Sequence, residues 1–129
     1  MTALIITRSL VLQQGLGALI ESLPGILSVK AIKELSNAYD WVESHQPDIV
    51  LLDVALLGSD IRLVLEKLRM LSPQMQRVLL VDHVEEVRWV PQYAEAILIK
   101  GEAPSAVAAI VNHLLFSKGD EHEHSDSNL

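Results

Sequence analysis

Short unbroken apolar runs alternate along this chain with segments whose apolar residues recur at helical spacing, and the alternation repeats five times. Ala3 to Ile6, Ile49 to Leu52, Val78 to Val81 and Ile97 to Ile99 are continuous apolar runs, as strands buried on both faces would be. Ser28 to Ile32 alternates weakly and reads as an edge strand. Between the runs, Leu12, Leu16, Leu19, Ile20 and Leu23 share one helical face, as do Ile61, Val64, Leu65 and Leu68. Ser36 reads as the N-cap of a helix carrying Ala38, Tyr39 and Val42, and Pro104 lies near the first turn of a last helix through Leu115. Pro24-Gly25, Gln46-Pro47 and Ser72-Pro73 supply the stops. Strands separated by helices pair in parallel through right-handed crossovers. The expected fold class is therefore α/β, a five-stranded parallel sheet with helices on both faces. The apolar pattern ends at Ser117, which predicts one domain over residues 1–117 and a disordered acidic tail over 118–129.

Composition narrows the function. Seventeen acidic against ten basic residues give a formal charge of −7, a poor match to a phosphate backbone, and only five aromatic residues are available for base stacking. No nucleic-acid partner is expected. With no cysteine, disulfides and thiolate chemistry are excluded. No apolar stretch approaches the ~20 residues of a spanning helix, and Arg8 follows the first apolar run where a secretory signal would place its charge before a longer one. A cytoplasmic protein without a membrane partner is expected. His122 and His124 read as part of the solvated tail.

In an open parallel sheet, function gathers at the carboxyl ends of the strands. Those ends here are Thr7-Arg8, Asp53, Asp82-His83 and Lys100. "PDIVLLD" closing on Asp53, with "AILIKG" closing on Lys100, strongly resembles the receiver domain of two-component response regulators from Ala3 to about Leu115. "GLGALIESLPGILSV" resembles the receivers that precede a helix-turn-helix output domain; none follows in these 129 residues, so the chain reads as stand-alone. The resemblance implies a flavodoxin-like (CheY-like) strand order of 2-1-3-4-5. It makes Asp53 the candidate phosphoacceptor and Lys100 the lysine that pairs with the phosphoryl group. It also implies an acidic pair holding Mg²⁺, a Ser or Thr ending the fourth strand, and an aromatic switch residue. Thr7-Arg8, Asp82 and Ile97 stand at those positions, and Leu57 replaces a proline usual after the phosphoacceptor.

These departures weaken the usual chemistry. Mg²⁺ wants oxygen ligands, usually carboxylates, and Asp82 would repel phosphoryl oxygens where a hydroxyl would donate. The expected pocket, Thr7, Arg8, Asp82 and Lys100 around Asp53, is balanced by its own side chains, with Arg8 and Lys100 offsetting the two aspartates and no resident metal. The helix between the fourth and fifth strands is expected to be short, roughly Val84 to Val90, because Pro91 follows. The first reading is an atypical receiver, a pseudo-receiver acting as a signalling protein–protein interaction module without Mg²⁺-dependent phosphorylation. Its partners would be a histidine kinase, another regulator, or a second copy bound through the last helix. The alternative is a phosphorylatable single-domain response regulator that accepts a phosphoryl group from a histidine kinase on Asp53, with Mg²⁺ as cofactor. A small enzyme is the weakest reading. An Asp53–Asp82 acid–base dyad would be suppressed by the nearby basic groups, and no Gly-rich phosphate loop follows the first strand.

Overall fold

Five parallel strands form the sheet in the computed structural model, which describes residues 1–58, 60–83 and 93–116. The strands are β1 (Thr2–Ile6), β2 (Ser28–Ile32), β3 (Ile49–Asp53), β4 (Gln76–Val81) and β5 (Ala96–Ile99), in the order β2-β1-β3-β4-β5. Four helices lie among the described residues: α1 (Leu10–Glu21), α2 (Leu35–His45), α3 (Ile61–Leu71) and α4 (Pro104–Phe116). A single 3-10 turn, Val54–Leu56, follows β3. The parallel sheet and flavodoxin-like order agree with expectation. The shortened helix expected at Val84 to Val90 and the tail expected from residue 118 lie outside the described residues.

The pleat sorts the strand residues into two cores, because successive side chains point to opposite faces. Ala3, Ile5, Ile49, Leu51, Val78, Leu80 and Leu98 pack with Ile20 of α1 and with Val107 and Val111 of α4. Leu4, Ile6, Val50, Leu52, Leu79 and Val81 pack with Ala38 and Val42 of α2 and with Val64, Leu65 and Leu68 of α3. Helices thus cover both faces, which is why Ala3 to Ile6, Ile49 to Leu52 and Val78 to Val81 run apolar without a break.

Helix boundaries follow local chemistry. Gln46 takes the left-handed conformation at φ 48° and closes α2, and its side-chain amide donates to the Leu71 carbonyl at 2.8 Å, tying the ends of α2 and α3 together. At the other end α2 begins at Leu35 with Glu34 as its cap, so Ser36 lies inside the first turn and is not the cap expected for it. Gly25, at φ 91°, turns the chain from α1 into β2, and a Cβ there would stand 2.9 Å from the Phe116 ring.

One buried charge interrupts the second core. Arg77 alternates with Leu79 and Val81 on β4 and is 5% exposed. Its guanidinium donates to the Leu65 carbonyl at 3.1 Å and to both carboxylate oxygens of Glu95, at 2.9 and 3.3 Å. Glu95 also accepts the Arg77 backbone N–H at 2.6 Å. Removing one partner of such a pair strands the other. Arg77→Met is expected to lower unfolding free energy by about 2–3 kcal/mol, below the full cost of a buried pair because Glu95 is partly exposed, as read by urea denaturation. A loss under about 0.5 kcal/mol would mean that solvent satisfies Glu95 unaided.

Candidate functional site

The same pleat assembles the site. Thr7 continues the alternation of Ala3 and Ile5, Asp53 that of Ile49 and Leu51, Asp82 that of Val78 and Leu80, and Lys100 that of Ala96 and Leu98. All four residues therefore leave their strands toward the α1–α4 face. Arg8 has the opposite parity, that of Leu4 and Ile6.

Asp53 is buried, and both carboxylate oxygens are occupied. The Thr7 hydroxyl donates to Oδ2 at 2.7 Å. Lys100 Nζ lies 2.6 Å from Oδ1, and the Ala55 N–H donates to the same oxygen at 3.0 Å. Burial pushes the Asp53 carboxyl up, but the hydrogen bonds from Lys100, Thr7 and Ala55 and the Lys100 charge outweigh it and hold the group below its ordinary value. The β1–α1 turn is fastened onto this carboxylate. Thr7 Oγ1 accepts the Ser9 N–H at 3.1 Å, the Ser9 hydroxyl caps α1 at the Leu12 N–H, and the Gln13 amide donates to the Thr7 carbonyl at 2.9 Å. On the other side, the Lys100 N–H donates to the Val81 carbonyl at 2.8 Å, which anchors the lysine between β4 and the site.

The remaining expected residues sit differently. Asp82 stands at the rim with its side chain 58% exposed, 3.7 Å from Lys100 Nζ. Arg8 does not join the site. Its guanidinium pairs with Glu34 at 3.0 Å, and its side chain is 65% exposed. The physical reason is register: Ile6 pairs with Ile32, so two residues further along, past both strand ends, Arg8 stands level with Glu34. The expectation that Arg8 helps neutralise Asp53 is therefore corrected, and Lys100 is the cation at Asp53. Ile97 faces the α2–α3 core, half-buried. Ser9, Gln13, Glu34 and the Ala55 N–H were not singled out from the sequence. Only Glu34 left a signal, once strands 1 and 2 are taken as neighbours.

This donor set does not suit Mg²⁺. One buried carboxylate is present, already neutralised by an ammonium group. The residue across from it is a neutral threonine whose proton points at that carboxylate, and the second aspartate turns outward beside the same lysine. A hard divalent ion would find one committed oxygen ligand. Among the described residues no group of three or more His, Asp or Glu side chains could hold a metal ion, and no helix is long and apolar enough to cross a membrane.

No protein-family model and no curated protein matches the sequence. Solved structures do. A LuxR-family two-component response regulator from Aurantimonas sp. SI85-9A1 superposes with a TM-score of 0.76 at 18% identity, covering 98% of this chain and 96% of that one. A CheY-like response regulator receiver domain protein from Methanospirillum hungatei JF-1 gives 0.79 at 18% identity, covering 93% and 97%. A LuxR-family DNA-binding response regulator from Silicibacter pomeroyi gives 0.73 at 23% identity, covering 89% and 92%. This chain has the receiver fold. The receiver fold places Asp53 at the carboxyl end of its central strand with Lys100 against it, the pair that carried the resemblance in sequence.

Proposed function

We propose that this chain is an atypical receiver, a signalling module that works by binding other proteins, in which Asp53 serves as a fixed structural anion. The observation that carries the reading is the Thr7 hydroxyl at 2.7 Å from one Asp53 oxygen while Lys100 lies 2.6 Å from the other. A phosphoacceptor must expose a free oxygen to the phosphorus. It also needs the charge that develops on the transferring group to be neutralised, commonly by a metal ion. Here both oxygens are bound, and the neighbouring aspartate would oppose further negative charge. In this reading the module is not an enzyme and works in the cytoplasm, with which the receiver fold of its structural neighbours is consistent. Its partners are proteins of two-component signalling, a histidine kinase or another regulator, together with a second copy of the chain through α4.

The test is direct. The protein is incubated with Mg²⁺ and a small acyl phosphate and weighed intact, beside Asp53→Asn. The expected outcome is no stoichiometric phosphoryl adduct in either. An adduct on the parent chain that disappears in Asp53→Asn would overturn the reading and make the chain a working phosphoacceptor.

A further inference from the structure

Helices α1 and α4 lie side by side on one face of the sheet. Both are rich in apolar residues, but the core takes few of them. α1 fully buries only Ile20, and α4 only Val107 and Val111. A groove of about 250 Å³ is left between the two, walled by Leu12, Leu16 and Leu19 of α1 and by Pro104 and Val107 of α4. Gly15 leaves one wall open: a Cβ there would meet nothing within 4 Å.

Glu102 stands at one end of the groove. It follows β5 as the start of α1 follows β1, so it lies at the carboxyl edge of the sheet, near Val11. Its Oε1 accepts the Ile99 N–H at 3.3 Å, and it makes no ion pair among the described residues. From Glu102 a smaller chamber of about 40 Å³ continues inward past Leu12, Leu16 and Val107 to Leu98 and Lys100. The groove itself runs the other way, from Val11 to Leu19, about 12 Å along α1. Apolar walls thus end on one carboxylate that has no counter-charge.

We infer that this groove is a binding site for a small aliphatic amine, whose ammonium group meets Glu102 and whose hydrocarbon chain lies along Leu12, Leu16, Leu19 and Val107. The inference rests on the reading of the chain as a module not driven by phosphorylation, and it gives that module a chemical input. Shape and charge choose the class. The groove's 250 Å³ lies just below the range of small-molecule sites, about 300–1,000 Å³, and above the ~150 Å³ of an apolar cavity that holds benzene. Such sites are mostly apolar, with a few polar groups that fix orientation. Glu102 is that group here, and a carboxylate accepts hydrogen bonds without donating any. A fatty acid of the same length would set its own carboxylate against Glu102. Lys100, which could offset that charge, is already held by Asp53 at 2.6 Å. The chain's charge of −7 draws a cation and repels an anion. A second copy seated in the groove would likewise bring a chain of charge −7 against Glu102.

The probe is n-octylammonium, titrated into the 129-residue chain by calorimetry and followed by backbone amide NMR shifts. A Kd below about 1 mM is expected for so small a ligand, with shifts at Leu12, Leu16 and Val107 and none at Leu63 and Lys67 on α3 across the sheet. Octanoate should bind about fivefold more weakly or worse. Glu102→Gln keeps an acceptor for the Ile99 N–H but loses the charge. It should weaken octylammonium about fivefold, the scale of a partly exposed ion pair, and leave octanol unchanged. Gly15→Leu should raise Tm, since leucine favours a helix over glycine, and should weaken binding by about tenfold or more, since its side chain fills the groove. A Kd above about 1 mM, equal affinity for octanoate, or shifts spread over both faces of the sheet overturns the site. So does a parent dimer, read by sedimentation equilibrium, that Gly15→Leu dissociates and octylammonium leaves intact, which would give the groove to a second copy. Octylammonium bound by a protein that also forms the Asp53 adduct supports the site while overturning the phosphorylation-free reading, so the two fail separately.

Discussion

Lys100→Met is expected to destabilise the fold by about 2–4 kcal/mol at neutral pH, the range for leaving one partner of a largely buried ion pair uncompensated. Asp53 would keep its burial and its hydrogen bonds from Thr7 and Ala55 but lose the charge that lies against Oδ1. In the parent, the Asp53 carboxyl titrates below its ordinary value. Its contribution to stability is therefore fully present above the unfolded-state pKa of about 3.9 and is lost as pH falls through the lowered folded value. In the variant burial has less opposition, so the folded pKa rises. The difference between parent and variant should be widest at neutral pH and should shrink as the variant's Asp53 takes up its proton. Urea unfolding of both proteins at neutral and at mildly acidic pH measures this. A difference that does not change with pH would assign the loss to packing of the lysine stem instead. Adding Asp53→Asn to Lys100→Met should restore part of the lost stability at neutral pH, since a neutral amide needs no counter-charge.

Much of the sheet was legible because its code is local. Unbroken apolar runs marked four strands, proline and glycine marked the stops, and the strand ends named Thr7, Asp53 and Lys100 before their contacts were known. Direction was harder to read. Thr7 and Arg8 are adjacent, and a shift of one residue decides which of them faces Asp53. Helical and strand periodicity says nothing about where the parity is counted from once a strand has ended. The β1–β2 register settles it, and that register joins residues 26 apart in the chain. The cap of α2 was missed for a related reason: Ser36 is a better cap by residue type than Glu34, but the position is fixed by where β2 ends and α2 meets the sheet. Arg77 left no signal at all, since a charge beside an apolar run reads as a strand end until its buried partners at Leu65 and Glu95 are seen. The exposed apolar character of α1 and α4 was hidden differently. Its residues fit the stripe of an amphipathic helix, and only the structure shows how few of them the core takes.

Rebuilding the pocket should convert the protein from one indifferent to Mg²⁺ into one that responds to it. The variant is Thr7→Asp, Arg8→Asp and Asp82→Thr together. Thr7→Asp places a second carboxylate on the face that meets Asp53, where the structure now has a hydroxyl donor at 2.7 Å. Asp82→Thr removes the competing anion near Lys100 and returns a donor for phosphoryl oxygens. Without metal, the Thr7→Asp carboxylate repels Asp53 and the variant is less stable than the parent. With Mg²⁺ at tenfold its Kd, binding to the native state adds about 1.4 kcal/mol, which for a domain of this length raises Tm by about 5 °C. Calorimetry with and without Mg²⁺ reads that shift, and intact mass after treatment with an acyl phosphate reads the adduct on Asp53. Arg8→Asp alone should do neither, because Arg8 points to Glu34 and its loss disturbs only an exposed ion pair. A parent chain whose Tm already climbs with Mg²⁺ would show that the hydroxyl and the ammonium yield their places to the metal, and the fixed-anion reading of Asp53 would fall with them.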